Sequence, residues 1–419
     1  MFIDVHGAPL YAYTGGRPFD AARPTVVFIH GVLNDHSVWI LQSRHLAHHG
    51  WNVLAIDLPG HGRSGGQPPA SVEQAADGVL ALLRDSPSAG GRRTEGDDPF
   101  EVWICHVPAD ATASIYGGLP LRLPLTPTAV TAVVAASVPA YFDALSHGKY
   151  RPVFTAGGEV TIGRDDQPQA CVDAAIAGAG PAAEAVLVVA DAEHGADQAG
   201  GFGTGGQPCP PAAPCAVGST RRAAYVGASD FHPDWGDRPP MDLVEHEIGH
   251  TLGWVHSGTD DAGNYRSGLD VMSNSAAARE ADPSRRDAPG TLAVNLYLAG
   301  WLPAGDVAVA FGTADVTLAP SLGAEGTRLV VFEGHDGELY SVELFANVGL
   351  DDHLLQSGVG VHRIEIVNGS ITRIEPVLGD PPEGALMLPG AQIWITNEWS
   401  VTVRDDWQVR IVDETTLPI

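Results

Sequence analysis

The chain has 419 residues, more than a single hydrophobic core commonly organises, so two or three domains are expected. Its 51 acidic and 23 basic residues give a formal charge of −28, which repels nucleic acid and anionic lipid and argues against both as partners. With mean hydropathy near zero and no uninterrupted apolar run of bilayer length, the sequence reads as soluble rather than membrane-spanning.

Residues 1–85 alternate strand and helix patterns. Phe2–Val5 and Leu10–Tyr13 read as a hairpin, Val26–His30 and Val53–Asp57 as buried strands, and Val38–His49 and Ser71–Arg84 as helices. His30-Gly31 follows the first buried strand, and Asp57-Leu58-Pro59-Gly60-His61-Gly62-Arg63-Ser64 begins at the end of the second. On those residues the stretch resembles the opening of an α/β-hydrolase, and the likeness ends after about a fifth of the chain. Gly62-Arg63-Ser64-Gly65-Gly66 fits the pattern G-x-S-x-G, but a nucleophile elbow needs a buried strand running straight into the turn. A Pro-Gly-rich loop stands there instead, so Ser64 is read as a loop residue and the fragment as an incomplete α/β unit.

Residues 86–98, with Gly-Gly, Arg-Arg and Asp-Asp pairs, read as a polar linker. Residues 99–302 then mix strands at Phe100–Val107, Gly158–Ile162, Ala185–Ala190 and Arg222–Ala228 with helices at Thr126–Leu145 and Ala170–Ala177, an α+β arrangement. Residues 303–419 lose the helical pattern. Short β-branched or aromatic runs from Val307–Phe311 to Trp407–Val412, separated by Gly, Asp, Asn and Pro, suggest an all-β sandwich.

The four cysteines are Cys105, Cys171, Cys209 and Cys215. Four can pair in three ways, and a local Cys209–Cys215 bridge around Pro-Pro-Ala-Ala-Pro is the least costly closure to picture. Such a bridge suits an oxidising compartment, whereas Met1-Phe2-Ile3-Asp4-Val5-His6 shows no secretory signal pattern.

Chemistry concentrates in His246-Glu247-Ile248-Gly249-His250-Thr251-Leu252-Gly253-Trp254-Val255-His256. Residues four apart lie on one helix face, so His246 and His250 can aim at one point, while Val244, Ile248 and Leu252 face a core. Gly253 can take the left-handed conformation that ends a helix and turns the chain, which brings His256 to the same point. Three neutral imidazoles leave a fourth zinc position open, the layout of a catalytic rather than a structural site. Glu247, beside the first ligand, is the candidate general base for water attacking a carbonyl polarised by the metal.

The H-E-x-x-H-x-x-G-x-x-H spacing resembles that of the metzincin zinc metallopeptidases, as does Met272, sixteen residues after His256, in the place of their Met-turn. That likeness implies a mixed sheet with an active-site helix and makes Met272 a hydrophobic floor under the imidazoles. Tyr141–Tyr150, Leu296–Leu302 and Leu339–His362 are similar to segments of the gametolysin and immune-inhibitor-A group, and the resemblance spans residues 99–400. It implies an endopeptidase that takes an extended polypeptide, paired with an edge strand between Glu193 and Gly206, and it implies an extracellular location. Residue 274 is Asn, so the tyrosine that some metzincins place two residues after the Met to serve as a further zinc ligand is missing.

Asp260-Asp261 and Asp351-Asp352 are candidates for calcium, although neither lies in a complete ligand loop. His106, His147, His194, His232 and His362 fit no ligand spacing and are read as surface or hydrogen-bonded residues. Two other functions compete with the peptidase. One is a serine esterase built on the N-terminal fragment, which lacks a placed nucleophile; the other is a non-catalytic binding protein with a structural zinc, against which Glu247 argues.

Overall fold

A computed structural model of the chain describes residues 1–5, 8–19, 23, 25–31, 34–71, 74–75, 79, 93–111, 122–192, 201–204, 221–236, 239–258, 265–275, 288–335, 337–367, 370–379, 386–396 and 398–416. It is a mixed α/β structure with several sheets and few helices. Most of the predicted helix at Ser71–Arg84, all but residues 71, 74, 75 and 79, and the Cys209–Cys215 bridge lie outside the described residues. So do His194 and Asp260-Asp261.

The first sheet holds β1 (Phe2–Val5), β2 (Ala8–Tyr13), β3 (Thr25–Phe28) and β4 (Asn52–Ile56) in the order β1-β2-β4-β3. The predicted hairpin is formed, with Phe2 opposite Tyr11. A crossover through α1 (Ile40–His48) returns the chain from β3 to its parallel partner β4. Every residue of β4 is buried, which explains its unbroken apolar run, whereas β3 stands at the sheet's edge and is only half-buried.

The second sheet is built from β5 (Gly96–His106), β6 (Tyr150–Thr161), β7 (Ala185–Ala190), β8 (Gly201–Thr204) and β9 (Arg222–Val226), in the order β6-β5-β7-β9-β8. All neighbours are parallel except β8, which runs antiparallel along one edge. Side-chain alternation sends Val102, Ile104, Leu187, Val189, Ala224 and Val226 to one face, where α2 (Pro127–Ser146) and α4 (Asp242–Thr251) cover them. The intervening Trp103, Cys105, Val186, Val188, Ala223 and Tyr225 meet α3 (Pro168–Gly178) on the other. A Cys105–Cys171 disulfide ties β5 to α3 on that face.

One sequence reading is corrected here. The linker ends earlier than Asp98, because Gly96–Asp98 already pair with β6. Asp98 looks like a turn acid in sequence, but it is fully buried, accepting from both Arg222 guanidinium nitrogens at 2.7 and 2.5 Å and from the Tyr150 hydroxyl at 2.7 Å. A buried charge persists because it is paired. Helix α2, read from sequence as a helix over Thr126–Leu145, is long and apolar enough by composition to cross a bilayer. Its buried stripe Val130, Val134, Val138, Tyr141, Phe142 and Leu145 packs into the sheet's core, as a core helix does, with Thr126 capping its N-terminus.

After α5 (Ala293–Ala299) come β10 (Val307–Val309), β11 (Ala314–Thr317), β12 (Leu329–Glu333), β13 (Leu339–Phe345), β14 (Gly358–Val367), β15 (Ser370–Pro376), β16 (Leu386–Met387), β17 (Gln392–Ile395), β18 (Trp399–Val403) and β19 (Gln408–Asp413). One sheet runs β10-β12-β13-β14-β15 with β16 on β14, the other β11-β19-β18-β17. Val330, Phe332, Val342 and Val361 of the first share a core with Trp399, Val401, Val409 and Ile411 of the second, so the two sheets form the expected sandwich. The opposite face of the first sheet is also covered. Phe345, Ile364 and Ile374 pack on Leu269, Leu292 and Val294, joining the sandwich to the preceding region.

Candidate metal centre

Helix α4 carries its apolar stripe Val244 and Ile248 into the core beneath β9 and β8, which turns His246 and His250 the other way. The helix ends where the sequence predicts. Leu252 still has helical dihedrals, Gly253 takes φ +87°, and the Gly253 and Trp254 N–H groups donate back to His250 and Gly249 carbonyls at 2.9 and 3.1 Å. That reversal swings His256 to the other two rings. Ring centroids of His246, His250 and His256 are separated by 4.9, 5.2 and 4.5 Å, and one nitrogen from each lies within 4.8 Å of the others.

Hydrogen bonds fix which nitrogens face that point. His246 Nδ1 donates to the Val271 carbonyl at 2.7 Å and His250 Nδ1 to the Trp254 carbonyl at 2.9 Å. A carbonyl only accepts, so the proton sits on Nδ1 and the lone pair on Nε2 in both rings. Nε2 of His250 lies 2.8 Å from Nε2 of His256. Burial lowers the basicity of all three rings; neighbouring imidazoles add to the effect at His246, taken to a pKa of about 3, and at His256, taken to about 4. They are therefore neutral donors, the form a metal takes.

Glu247 is buried beside them, and among the described residues its Oε2 has no hydrogen-bond partner. Burial alone pushes its carboxyl well above the ordinary carboxylate range. An orphaned buried acid beside three converging neutral imidazoles is what a divalent cation and its water would satisfy, so the donor set fits zinc. Met272 is fully buried against the ligand helix: a Cβ on Gly249, between the two helical histidines, would lie 2.5 Å from its Sδ. Strand β8 closes the other side. Side chains at Gly201 and Gly203 would strike Glu247 Oε1 at 2.6 Å and His250 Cβ at 2.6 Å, so only glycine lets the edge strand lie this close to the helix.

One residue of the site escaped the sequence reading. Tyr265 brings its hydroxyl to 3.1 Å from His256 Nε2, with its ring 4.9 Å from that of His256 and 6.0 Å from that of His246. Burial first, and then the charge of Glu247, raise its pKa. A phenol is therefore present even though residue 274 is Asn; it comes from before Met272 rather than after it. No helical period or fixed spacing connects Tyr265 to His256, so only its aromatic identity near the motif could have pointed to it.

A second group, Asp35, His36 and Asp57, also brings possible ligand atoms together. Its acids are already occupied. Asp57 accepts from the His36 N–H at 2.6 Å, His36 Nδ1 at 2.8 Å and the Arg63 N–H at 2.8 Å, while Asp35 caps a turn through the Ser37 N–H at 2.8 Å. Ser64 is a loop residue whose Oγ donates to the Asp57 carbonyl at 2.6 Å and accepts from the Tyr11 N–H at 2.8 Å. His106 lies between Asp191 and Glu159, at 3.0 and 3.1 Å, and His362 is buried in the sandwich. Asp351 points inward, accepting from the Gly290 N–H at 3.0 Å, rather than into a loop of oxygen ligands as a calcium acid would.

Residues 24–87 match the family model of the alpha/beta hydrolase fold. No curated protein matches the chain.

Proposed function

We propose that the protein is a zinc-dependent metalloendopeptidase of metzincin type, with His246, His250 and His256 as the ligands and Glu247 as the general base. The observation that carries this reading is the convergence of three neutral imidazoles on one point beside a buried acid whose Oε2 has no partner among the described residues. Zinc, when bound, supplies a Lewis acid for the scissile carbonyl and lowers the pKa of water. The side chains do the rest. Hydrogen bonds to the Val271 and Trp254 carbonyls hold two rings in the ligating tautomer. Glu247 takes the proton of the attacking water and passes it to the departing amine, and the charged form this requires is favoured only with a cation alongside. Tyr265 is placed to donate to the oxygen that gains charge at the carbonyl carbon.

An extended substrate segment pairs with the outer edge of β8, which lies against Glu247 and His250. The Cys105–Cys171 disulfide supports an oxidising, extracellular setting. The match at residues 24–87 favours, as a second reading, a serine-type hydrolase activity in that region.

Metal analysis of the purified protein together with cleavage of a denatured protein separates the two. The expected result is one zinc per chain and cleavage abolished by a chelator. Cleavage that survives the chelator and stops with a serine-directed phosphonate overturns the metallopeptidase reading.

A further inference from the structure

Segment 288–295 is buried between helix α4, the turn holding Met272 and the sandwich, and four acidic side chains grip it. Glu245 of α4 accepts from the Ala288 N–H at 2.9 Å, and Asp270 accepts from the Thr291 hydroxyl at 2.8 Å. The other two come from the sandwich region. Asp351 accepts from the Gly290 N–H at 3.0 Å, and Glu343 of β13 from the Ala293 N–H at 2.8 Å, at the start of α5. Gly290 is required for the first contact, because a Cβ there would lie 2.8 Å from Asp351 Oδ1 and 2.5 Å from Leu322.

The same segment touches what orients the histidines. The Gly290 carbonyl accepts from the Val271 N–H at 2.9 Å, and the Val271 carbonyl accepts from His246 Nδ1 at 2.7 Å. Asp270, held by Thr291, accepts from the Ser257 hydroxyl at 2.6 Å, next to His256, while the Ser257 N–H donates to the Met272 carbonyl at 3.1 Å. One short chain of hydrogen bonds thus runs from Asp351 through Gly290 and Val271 to the His246 ring, while Glu343 holds the same segment two residues from Thr291, whose link through Asp270 ends at Ser257, the chain neighbour of His256. Such outer contacts help lock the orientation and tautomer of metal-binding imidazoles.

We propose that Asp351 and Glu343 are positioning residues of the metal centre, so that the C-terminal sandwich is part of the zinc site rather than an accessory to it. This rests on reading His246, His250 and His256 as the ligands. The contacts ask only for an acceptor oxygen, which Asn and Gln retain and Ala lacks.

The test measures zinc affinity of the full chain by competition with a chromophoric chelator, and the visible absorption of the cobalt-substituted protein, for D351A, D351N, E343A, E343Q and V401A. Val401 is buried in the sandwich core away from segment 288–295, so V401A destabilises the sandwich without touching the clamp. Losing an outer-shell contact costs about tenfold or more in metal affinity. The expected result is that loss for D351A and E343A with an altered cobalt spectrum, near-wild-type behaviour for D351N and E343Q, and unchanged affinity for V401A. A wild type that binds zinc beside folded D351A and E343A that bind it equally well overturns the proposal alone; a wild type that binds no zinc overturns the ligand assignment and the proposal with it. Should D351A not fold, E343A reads the grip on segment 288–295 by itself, and equal loss in V401A shows a general stability effect and overturns the positioning role.

Discussion

Two regions of this chain carry residues in hydrolase-like patterns, and they differ in whether the buried acid of the pattern has hydrogen-bond partners among the described residues. Around β4, Ser64, Asp57 and His36 spend their hydrogen bonds on one another and on the backbone, closing the loop between residues 57 and 65. Around α4, Nε2 lone pairs converge and Glu247 Oε2 has no partner among the described residues. A buried acid left unpaired costs about 1–3 kcal/mol, which a cation and its water beside the three imidazoles would offset. A motif match weighs less than that difference in saturation.

Four measurements break or sharpen this contrast. The largest expected effect is in Glu247→Ala, which removes the proposed general base and is expected to lower kcat/KM for peptide cleavage by about 10²- to 10⁴-fold while zinc content is unchanged. Wild-type turnover in that variant would end the distinction between the regions. Next comes Tyr265→Phe, expected to lower kcat more than it changes KM, by about tenfold to a hundredfold, since one oxyanion donor is lost. Equal kcat values would leave Tyr265 a packing residue.

A third measurement reaches the sandwich. Burial raises the pKa of Glu343 to about 8, with Asp270 and Asp351 adding repulsion. Below its ordinary value near 4.5 the group is protonated in both folded and unfolded chains; above it the unfolded chain ionises while the folded chain keeps its proton. Stability therefore falls as pH rises from about 4.5 to about 8, by up to ~1.4 kcal/mol per pH unit, and levels off beyond. Urea unfolding at pH 5 and pH 8 is expected to show this slope reduced in Glu343→Gln; an identical slope would mean that Glu343 ionises freely in the fold. The smallest effect on activity is in Ser64→Ala, where peptide cleavage stays at the wild-type level and the N-terminal sheet loses ~1 kcal/mol of stability. Loss of cleavage in that variant would transfer the chemistry to the first region.

Much of the site was legible because it is local. A 3.6-residue turn puts His246 and His250 on one face opposite Val244 and Ile248, and a glycine free to take positive φ at 253 returns His256; these relations depend on neighbours along the chain. The strands were legible for the same reason, with β7 and β9 found as apolar runs, while β11, β16 and β18 passed unnoticed, the first an exposed edge with only half-buried side chains, the second two residues long. What tertiary structure alone decided lies across loops whose lengths carry no geometric code. Tyr265 against His256, Asp98 against Arg222, Cys105 against Cys171, and the grip of Glu343 and Asp351 on segment 288–295 all join residues whose distance in sequence says nothing of their distance in space. Periodicity fixes directions within one element; which elements meet is set by burying several apolar faces at once, and that is a property of the whole chain.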